Sequence, residues 1–316
     1  MRFSAEHVER WREEGFVVME RFFDASEYEP VLHDFESLYR DAGKSDGVGS
    51  ARQRNEGDAA PSNRALQFKN IHVLPYEASS ALNLLSLHPA LIAFAQALLG
   101  VSDVRLYQSH TWAKYTGEAD YDQEFHCDYG NHTLLVPADD PAQRTVDFVI
   151  YFTDVTKEHG ALRYVTKSDV LSALGRPALS ALNEKELEAL HAIERAVTVP
   201  AGSLVAHGID TLHRGSNLTA PNGRRFSLTV GYKAAGSDHI GFHVWQATQN
   251  RPWHLIFNHA TPEQLACLGI PKPGAAFWTE RTLELTQKRW PSWNMSEYFA
   301  AARNVARNAL FSGSSV

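Results

Sequence analysis

The chain has 316 residues, of which 30 are Lys or Arg and 37 are Asp or Glu, giving a formal net charge of −7. This acidic balance argues against a nucleic-acid binder and against attachment to an anionic membrane. Hydrophobic residues make up 44% of the chain, which is enough for a sizeable core. The two cysteines, Cys127 and Cys267, lie far apart, so we expect neither a disulfide framework nor a cysteine-rich zinc site. A reducing cytoplasm is the predicted location.

Residues 1–100 predict a mostly helical region. Ser4 can cap and Gly15 can end a helix over residues 4–14, and a short strand follows at 16–19. A second helix is expected over 26–42, and a helical pair between 77 and 99. The apolar stretch 82–101 is interrupted by polar residues and by Pro89, so it predicts buried helices and no membrane span. The N-terminus also lacks the apolar core of a signal peptide.

A polar, glycine-rich segment over residues 43–64 separates these helices. It carries no hydrophobic periodicity. A structureless segment of this length in a compact domain is usually either functional or disordered, and the sequence leaves both open. One functional hypothesis is a lid over a pocket.

The middle of the chain, 103–235, predicts strands rich in β-branched and aromatic residues between Gly, Pro, Asp and Asn breaks. Such close spacing favours a sandwich or a barrel, with one helix near 183–193. Residues 236–316 hold five of the 7 tryptophans and are expected to pack on this body. We therefore predict one domain over residues 1–316. The six predicted strands cover residues 104–115, 124–136, 145–153, 196–199, 203–206 and 225–234.

A His-x-Asp triplet, His126 and Asp128, lies within the second predicted strand. Two residues apart on a strand share a face, so the imidazole and the carboxylate would point together. With 15 His and 37 acidic residues, chance alone produces about two such triplets in this chain. The other triplet, His7 and Glu9, falls in a predicted helix, where positions i and i+2 face apart.

A distant histidine, His213, could complete a three-ligand face on a metal. Two histidines and one carboxylate with open positions are the arrangement of non-haem Fe(II) oxygenases. His207, six residues earlier, is a competing ligand that spacing alone does not exclude.

Two arginines, Arg224 and Arg225, open the last predicted strand. They are either a solvated pair after a turn or the source of a carboxylate clamp, because a guanidinium matches a carboxylate bidentately. Arg225 and Ser227 share one strand face, which would place a guanidinium beside a hydroxyl.

This order of residues resembles the phytanoyl-CoA dioxygenase family over about residues 10–235. The His126-x-Asp128 triplet, His213 and the Arg225-x-Ser227 pair carry the resemblance. The loop after His213 departs from the family pattern, because Asn217 directly follows Ser216. Family spacing from the second histidine would select Arg224, whereas the strand end and the Arg-x-Ser pair select Arg225, and we favour Arg225 over Arg224.

The resemblance implies a mainly β fold with flanking helices, built on a double-stranded β-helix (a cupin-like jelly roll) behind a helical N-terminal region. It implies Fe(II), 2-oxoglutarate and O2 as cofactor and co-substrates. His126, Asp128 and His213 would be the metal ligands and catalytic centre, and Arg225 with Ser227 would hold the distal carboxylate of 2-oxoglutarate. Further co-substrate contacts are expected from Gln108, Lys114 and Thr145, and candidate substrate contacts from Tyr129 and His132.

Hydroxylation of a small metabolite or natural-product intermediate is the expected activity, with succinate and CO2 released. Related halogenating enzymes lack the carboxylate ligand, whereas Asp128 is present here. Desaturation, epimerisation and cyclisation remain alternatives, as does a cupin-like metalloenzyme that does not use 2-oxoglutarate. A non-catalytic binding or structural β-domain is a third class. The sequence does not indicate the oligomeric state.

Overall fold

A computed structural model describes residues 2–40, 71–116, 122–133, 135–138, 140–179, 181–242 and 252–312. The segment 43–64 lies outside these residues, so the lid hypothesis stays a prediction. Mainly β architecture with helices around it is confirmed for the described part of the chain.

The larger of two antiparallel sheets has five strands in the order β1-β6-β3-β8-β2. Strand β2 has the predicted bounds, β3 and β8 lie within two residues of theirs, and the predicted strand 203–206 runs to Gly208. These strands are β1 (Phe16–Met19), β2 (Val104–Tyr115), β3 (Thr145–Tyr151), β6 (Leu204–Gly208) and β8 (Arg224–Ala234).

A smaller sheet of three strands has the order β5-β4-β7. Its strands are β4 (Arg163–Tyr164), β5 (Arg195–Ala196) and β7 (His213–Arg214). Side chains of β1, β3 and β6 form one core cluster with those of β4 and its neighbours, for example Val149 and Val205 with Tyr164. This cluster packs the small sheet against one face of the large sheet.

Alternation along the large sheet separates an apolar face from a polar one. On β3, Val146, Phe148 and Ile150 belong to the core beneath the helices. Their neighbours Thr145 and Asp147 therefore point the other way, because successive strand residues alternate between faces. The same rule turns the alternate residues of β2, β6 and β8 toward one interior space.

The N-terminal helices agree with the sequence prediction. The first ends at Gly15, whose φ of 88° is a left-handed conformation that glycine adopts without strain. The second is four residues shorter at its end than expected. These helices are α1 (Ala5–Glu14), α2 (Ala25–Leu38), α3 (Ser80–Leu85) and α4 (Pro89–Leu99).

The stretch Ser80–Leu99 passes a length and hydropathy test for a membrane span. That evidence is weak, because the stretch is two helices broken by Ser86 to His88 and 56% of it is buried in the protein. Leu82, Leu91 and Phe94 are fully buried in the main core. Core helices explain its composition.

The prediction of a continuous strand over residues 124–136 is wrong. The described residues of this range form single bridges at His126 and Thr133, and a short helix α5 (Tyr129–His132) lies between them. Asp128 has helical φ and ψ of −68° and −17°. The Tyr129 amide donates to the Ile209 carbonyl, so a tertiary contact turns the chain where β-propensity alone predicted an extended run.

Two further helices lie between the sheets' strands. Helix α7 (Glu184–Ile193) was predicted, and Asn183 caps it. Helix α6 (Lys167–Leu174) was not predicted, although Thr166 accepts a hydrogen bond from the Asp169 amide as an N-cap should.

The C-terminal segment is helical and aromatic. Trp253, Trp278 and Trp293 are buried in the same core cluster as the N-terminal helices. The Leu106 amide at the start of β2 also donates to the Cys267 carbonyl. The helices of this segment are α8 (His254–Phe257), α9 (Pro262–Ala266), α10 (Glu280–Arg289) and α11 (Ser296–Ser312).

Candidate metal and co-substrate site

The two predicted histidine ligands are held together by their backbones. The His126 amide donates to the His213 carbonyl at 2.9 Å, and the His213 amide donates back at 3.0 Å. One residue pair therefore extends the small sheet beyond β7. The ring centroids of the two imidazoles lie 4.5 Å apart as a result.

Asp128 reaches the same point from the turn that follows His126. Its Oδ1 lies 3.9 Å from the Nε2 of His126 and 3.8 Å from the Nε2 of His213. These three atoms lie within 4.8 Å of one another. The turn conformation of Asp128, not strand alternation, brings its carboxylate beside the imidazoles.

Each imidazole presents Nε2 to this point because its other nitrogen is occupied. The Nδ1 of His126 lies 2.9 Å from the Glu124 carbonyl, and the Nδ1 of His213 lies 3.0 Å from the Thr211 carbonyl. A carbonyl only accepts, so each Nδ1 carries the proton and each neutral ring keeps an Nε2 lone pair. Such outer contacts fix the orientation of metal-binding histidines.

Electrostatics favour a neutral histidine beside an ionised carboxylate. Burial lowers the pKa of His213 to about 3, although Asp128 works in the opposite direction. Burial alone would raise the pKa of Asp128, but the adjacent imidazole of His213 and the hydrogen bond from His207 outweigh it and hold that pKa well below its usual range. These are the protonation states that a metal requires of its ligands.

His207, the competing ligand of the sequence prediction, binds the other side of Asp128. Its Nε2 donates to Asp128 Oδ2 at 3.0 Å. His207 also belongs to a second possible metal group, with Asp128 and Asp147. The two groups share only Asp128, which uses a different oxygen toward each.

A cavity of about 720 Å³ opens over this centre. Its apolar walls come from residues such as Val149, Leu162 and Trp112, and its polar walls from the interior faces of β2 and β8. The predicted site residues on these walls are His126, Asp128, His213, Gln108, Lys114, Arg225, Ser227 and His132.

The structure distinguishes Arg224 from Arg225, the two arginines between which sequence spacing could not choose. Arg225 is 5% exposed, lines the cavity and donates to the Gly160 carbonyl. Its Nε is buried without a hydrogen-bond partner among the residues that the structure describes. Arg224 points outward to an ion pair with Glu36 at 2.7 Å.

Lys114 faces Arg225 directly across β2 and β8. Among the residues that the structure describes, its ammonium donates one hydrogen bond, to the Ser216 carbonyl at 3.0 Å. Burial, together with the nearby charge of Arg225, lowers the pKa of Lys114 to about 7. Two buried cations side by side on a cavity wall form a strong site for a carboxylate.

A fully buried carboxylate, Asp147, was missed by the sequence prediction. Tyr107 donates to both of its oxygens at 2.8 Å, and Gln108 donates to Oδ1 at 2.5 Å. The hydroxyl of Thr145 donates to Oδ2 at 3.3 Å. A lone carboxylate in an otherwise apolar strand was the signal that could have identified it.

These contacts change the expected roles of two residues. Gln108 lies on the cavity wall, but its amide is engaged by Asp147. Thr145 is fully buried and is absent from the described cavity wall, so the structure does not bring it to the co-substrate region.

The two candidate substrate contacts, Tyr129 and His132, also differ in where their side chains lie. His132 lies on the cavity wall, with its Nδ1 2.9 Å from the Tyr107 hydroxyl. Tyr129 points away and donates to the Leu179 carbonyl at 2.8 Å.

Comparison with known families gives an independent result. Residues 11–226 match the family model of phytanoyl-CoA dioxygenase. The match covers more than half of the chain and includes all the candidate site residues discussed above except Ser227, which follows its end. No curated protein matches the chain significantly.

Solved structures share the fold at low sequence identity. The α-ketoglutarate-dependent epimerase SnoN from nogalamycin biosynthesis is 19% identical and covers 73% of this chain and 82% of its own, with a TM-score of 0.51. The carbocyclase SnoK of the same biosynthesis is 21% identical and covers 74% and 85%, also at 0.51. HygX from Streptomyces hygroscopicus, with nickel and 2-oxoglutarate bound, is 17% identical and covers 74% and 88%, again at 0.51.

Proposed function

Because the chain belongs to the phytanoyl-CoA dioxygenase family, we propose that it is an Fe(II)- and 2-oxoglutarate-dependent dioxygenase that hydroxylates a small metabolite or natural-product intermediate. The family resemblance predicted from the sequence is confirmed, and with it the class of enzyme and its cofactor and co-substrate. The roles of individual residues and the hydroxylation outcome are the proposal.

One observation carries the metal assignment. The Nε2 atoms of His126 and His213 and the Oδ1 of Asp128 converge, while the second polar atom of each side chain is hydrogen-bonded elsewhere. Two neutral imidazoles and one carboxylate suit Fe(II) and leave other coordination positions open. The donor set therefore fits the metal of the family.

The cationic wall supports the co-substrate assignment. The unpartnered Nε of Arg225, as far as the described residues show, and the free donors of Lys114 suit the distal carboxylate of a dicarboxylate. Ser227 shares the wall with them. We assign Arg225, not Arg224, to this carboxylate, because Arg224 lies outside in its ion pair with Glu36.

When bound, iron with 2-oxoglutarate and O2 would supply the oxidising power, with succinate and CO2 as co-products. The protein's own residues place the reactants. Arg225 and Lys114 would fix one end of the co-substrate, and the apolar walls around Val149 and Leu162 would exclude water from it. Asp128 would supply a carboxylate ligand to the iron, which favours hydroxylation over halogenation.

The substrate assignment rests on the remaining cavity surface. Trp112 and Val73 contribute apolar surface to it, and His110, Asn131 and His132 contribute polar side chains. Mixed walls around about 720 Å³ suit a small organic molecule. We further propose that the two sheets are the halves of a double-stranded β-helix and that the enzyme acts in the cytoplasm, where its two buried free cysteines would persist.

A succinate-release screen over a metabolite panel, with Fe(II) and 2-oxoglutarate, tests the function. At least one metabolite should raise succinate formation above the uncoupled level, and mass spectrometry of its product should show one added oxygen. A product of unchanged mass would indicate epimerisation, and a loss of two hydrogens would indicate desaturation or cyclisation. Lack of 2-oxoglutarate consumption in the iron-loaded protein under all conditions would favour a cupin-like metalloenzyme.

A further inference from the structure

The two oxygens of Asp128 face different partners. Oδ1 lies 3.9 Å and 3.8 Å from the Nε2 atoms of His126 and His213 and belongs to the proposed metal centre. Oδ2 accepts the hydrogen bond from the Nε2 of His207 at 3.0 Å. A carboxylate side chain can rotate about its last bond, so the contact at Oδ2 determines which oxygen faces the histidines.

His207 is itself held from behind. Its Nδ1 lies 3.1 Å from the Tyr164 hydroxyl, and both residues are buried, at 2% and 0% exposed. Both ring nitrogens of His207 are therefore engaged by protein atoms. Its backbone lies in β6, between β1 and β3 of the large sheet.

Tyr164 contacts a second ligand at the same time. It lies opposite His213 in the pairing of β4 with β7. Its ring stacks on the His213 imidazole, with centroids 5.4 Å apart and an interplanar angle of 20°. One tyrosine thus supports His213 by stacking and Asp128 through His207.

We propose that His207 and Tyr164 are positioning residues that present Asp128 to the metal through Oδ1 alone. The inference rests on the proposed function, since it concerns the same metal centre. By occupying Oδ2, His207 would keep the carboxylate from binding through both oxygens and so preserve the open positions that the co-substrates need. Neither residue is a ligand in this arrangement.

The alternative in which His207 binds a metal with Asp128 and Asp147 is disfavoured by hydrogen bonding. The oxygens of Asp147 already accept from Tyr107, Gln108 and Thr145. A metal at this second group would have to displace those donors and leave them buried without acceptors, which is costly. His207 is therefore better explained as a donor to Asp128.

Anaerobic titration of the full-length protein with Fe(II), in the presence and absence of 2-oxoglutarate, tests the inference. His207→Leu removes the donor, His207→Gln keeps a side-chain amide that can donate to Asp128, and Tyr164→Phe removes only the hydroxyl. Tyr298→Phe is the matched control, because its buried hydroxyl has no partner among the described residues and lies in the aromatic C-terminal core. The readouts are the Fe(II) dissociation constant and the visible charge-transfer absorption of the iron–2-oxoglutarate complex.

Loss of an outer-shell partner typically weakens metal binding by about 10- to 100-fold, and we expect His207→Leu to fall in that range. Tyr164→Phe should weaken binding by about fivefold, the effect of one neutral hydrogen bond. The charge-transfer band should shift in both variants. His207→Gln should approach the wild-type affinity and band, and Tyr298→Phe should match the wild type.

Wild-type affinity and an unshifted band in a folded His207→Leu variant would overturn the inference while leaving the proposed function intact. If His207→Leu does not fold, Tyr164→Phe decides, and equality with Tyr298→Phe overturns it. Failure of the wild-type protein to bind one Fe(II) would instead overturn the proposed function, so the two failures are distinguishable.

Discussion

Two neighbouring carboxylates, the half-buried Asp128 and the fully buried Asp147, differ in how their oxygens are used. Asp147 accepts hydrogen bonds from Tyr107, Gln108 and Thr145 on both oxygens. Asp128 has one oxygen bound by His207 and turns the other toward two imidazole lone pairs. The more deeply buried of the two is Asp147, so burial alone does not identify the functional group.

The surroundings of Asp128 and Asp147 differ in whether polar atoms remain without a hydrogen-bond partner among the described residues. Buried polar groups in folded proteins are normally hydrogen-bonded, so convergent open atoms mark a place for a ligand. The same contrast holds between the arginines: Arg225 keeps a buried open Nε among the described residues, whereas Arg224 is paired with Glu36. Substituting an open group should therefore impair binding of the metal or the co-substrate, whereas substituting a hydrogen-bonded one should mainly lower stability.

The largest effect is expected at the open carboxylate. Asp128→Ala removes one of three proposed ligands and should abolish Fe(II) binding, substrate-independent succinate formation and coupled turnover. Anaerobic Fe(II) titration and succinate assays measure these quantities. Retention of uncoupled succinate formation at the wild-type level would contradict the metal assignment.

A second prediction concerns the clamp. Arg225→Ala should raise the KM for 2-oxoglutarate by about 100-fold, because losing one partner of a buried charged pair costs about 2–5 kcal/mol. Arg224→Ala is the matched control and should leave that KM unchanged, since exposed ion pairs contribute at most about 1 kcal/mol and only to stability. Equal effects of the two substitutions on this KM would contradict the assignment of Arg225 over Arg224.

Asp147, whose two oxygens accept hydrogen bonds within the protein, should contribute to stability and not to metal binding. Asp147→Asn places an amide donor against Tyr107 and Thr145, and we expect it to lower the free energy of unfolding by about 1–3 kcal/mol. Urea unfolding of the metal-free protein measures this loss. The Fe(II) affinity of the folded variant should stay within a few-fold of the wild type, and its disappearance would mean that Asp147 is a ligand after all.

The sequence predicted the parts of the fold that local chemistry determines. Strand β2 was located residue for residue, and Gly15 ended the first helix as expected. The strand over 124–136 failed because the contact between Tyr129 and the Ile209 carbonyl is tertiary and overrides local propensity. Side chains of the triplet still converged, although by a turn instead of a strand face.

The site was predictable to the level of residue type and order, but not of orientation. Spacing could not choose between His207 and His213, because the choice depends on which oxygen of Asp128 each ring faces. Spacing also gave no role to Tyr164, whose contacts with His207 and His213 exist only once two sheets meet. Non-local pairing of this kind has no local sequence signal.

The smallest predicted effect concerns the ammonium of Lys114. Its counterpart for comparison is the side-chain amide of Gln108, which already donates to Asp147. Burial and Arg225 lower the pKa of Lys114 to about 7, so the free enzyme carries this charge below pH 7 and loses it above. A carboxylate prefers the charged form, and kcat/KM reports the ionisation of the free enzyme. We expect kcat/KM for 2-oxoglutarate to fall by about tenfold above pH 7, the value of a hydrogen bond to a charged group.

Lys114→Gln should remove that component of the pH profile and leave the wild-type and variant curves converging at high pH. Gln108→Leu is the matched comparison. The amide of Gln108 donates to Asp147, so its loss should lower stability without changing the shape of the pH profile. Parallel curves for wild type and Lys114→Gln would show that the ammonium does not contact the co-substrate. The distal carboxylate would then depend on Arg225 alone, and the open donors of Lys114 would be left to the substrate itself.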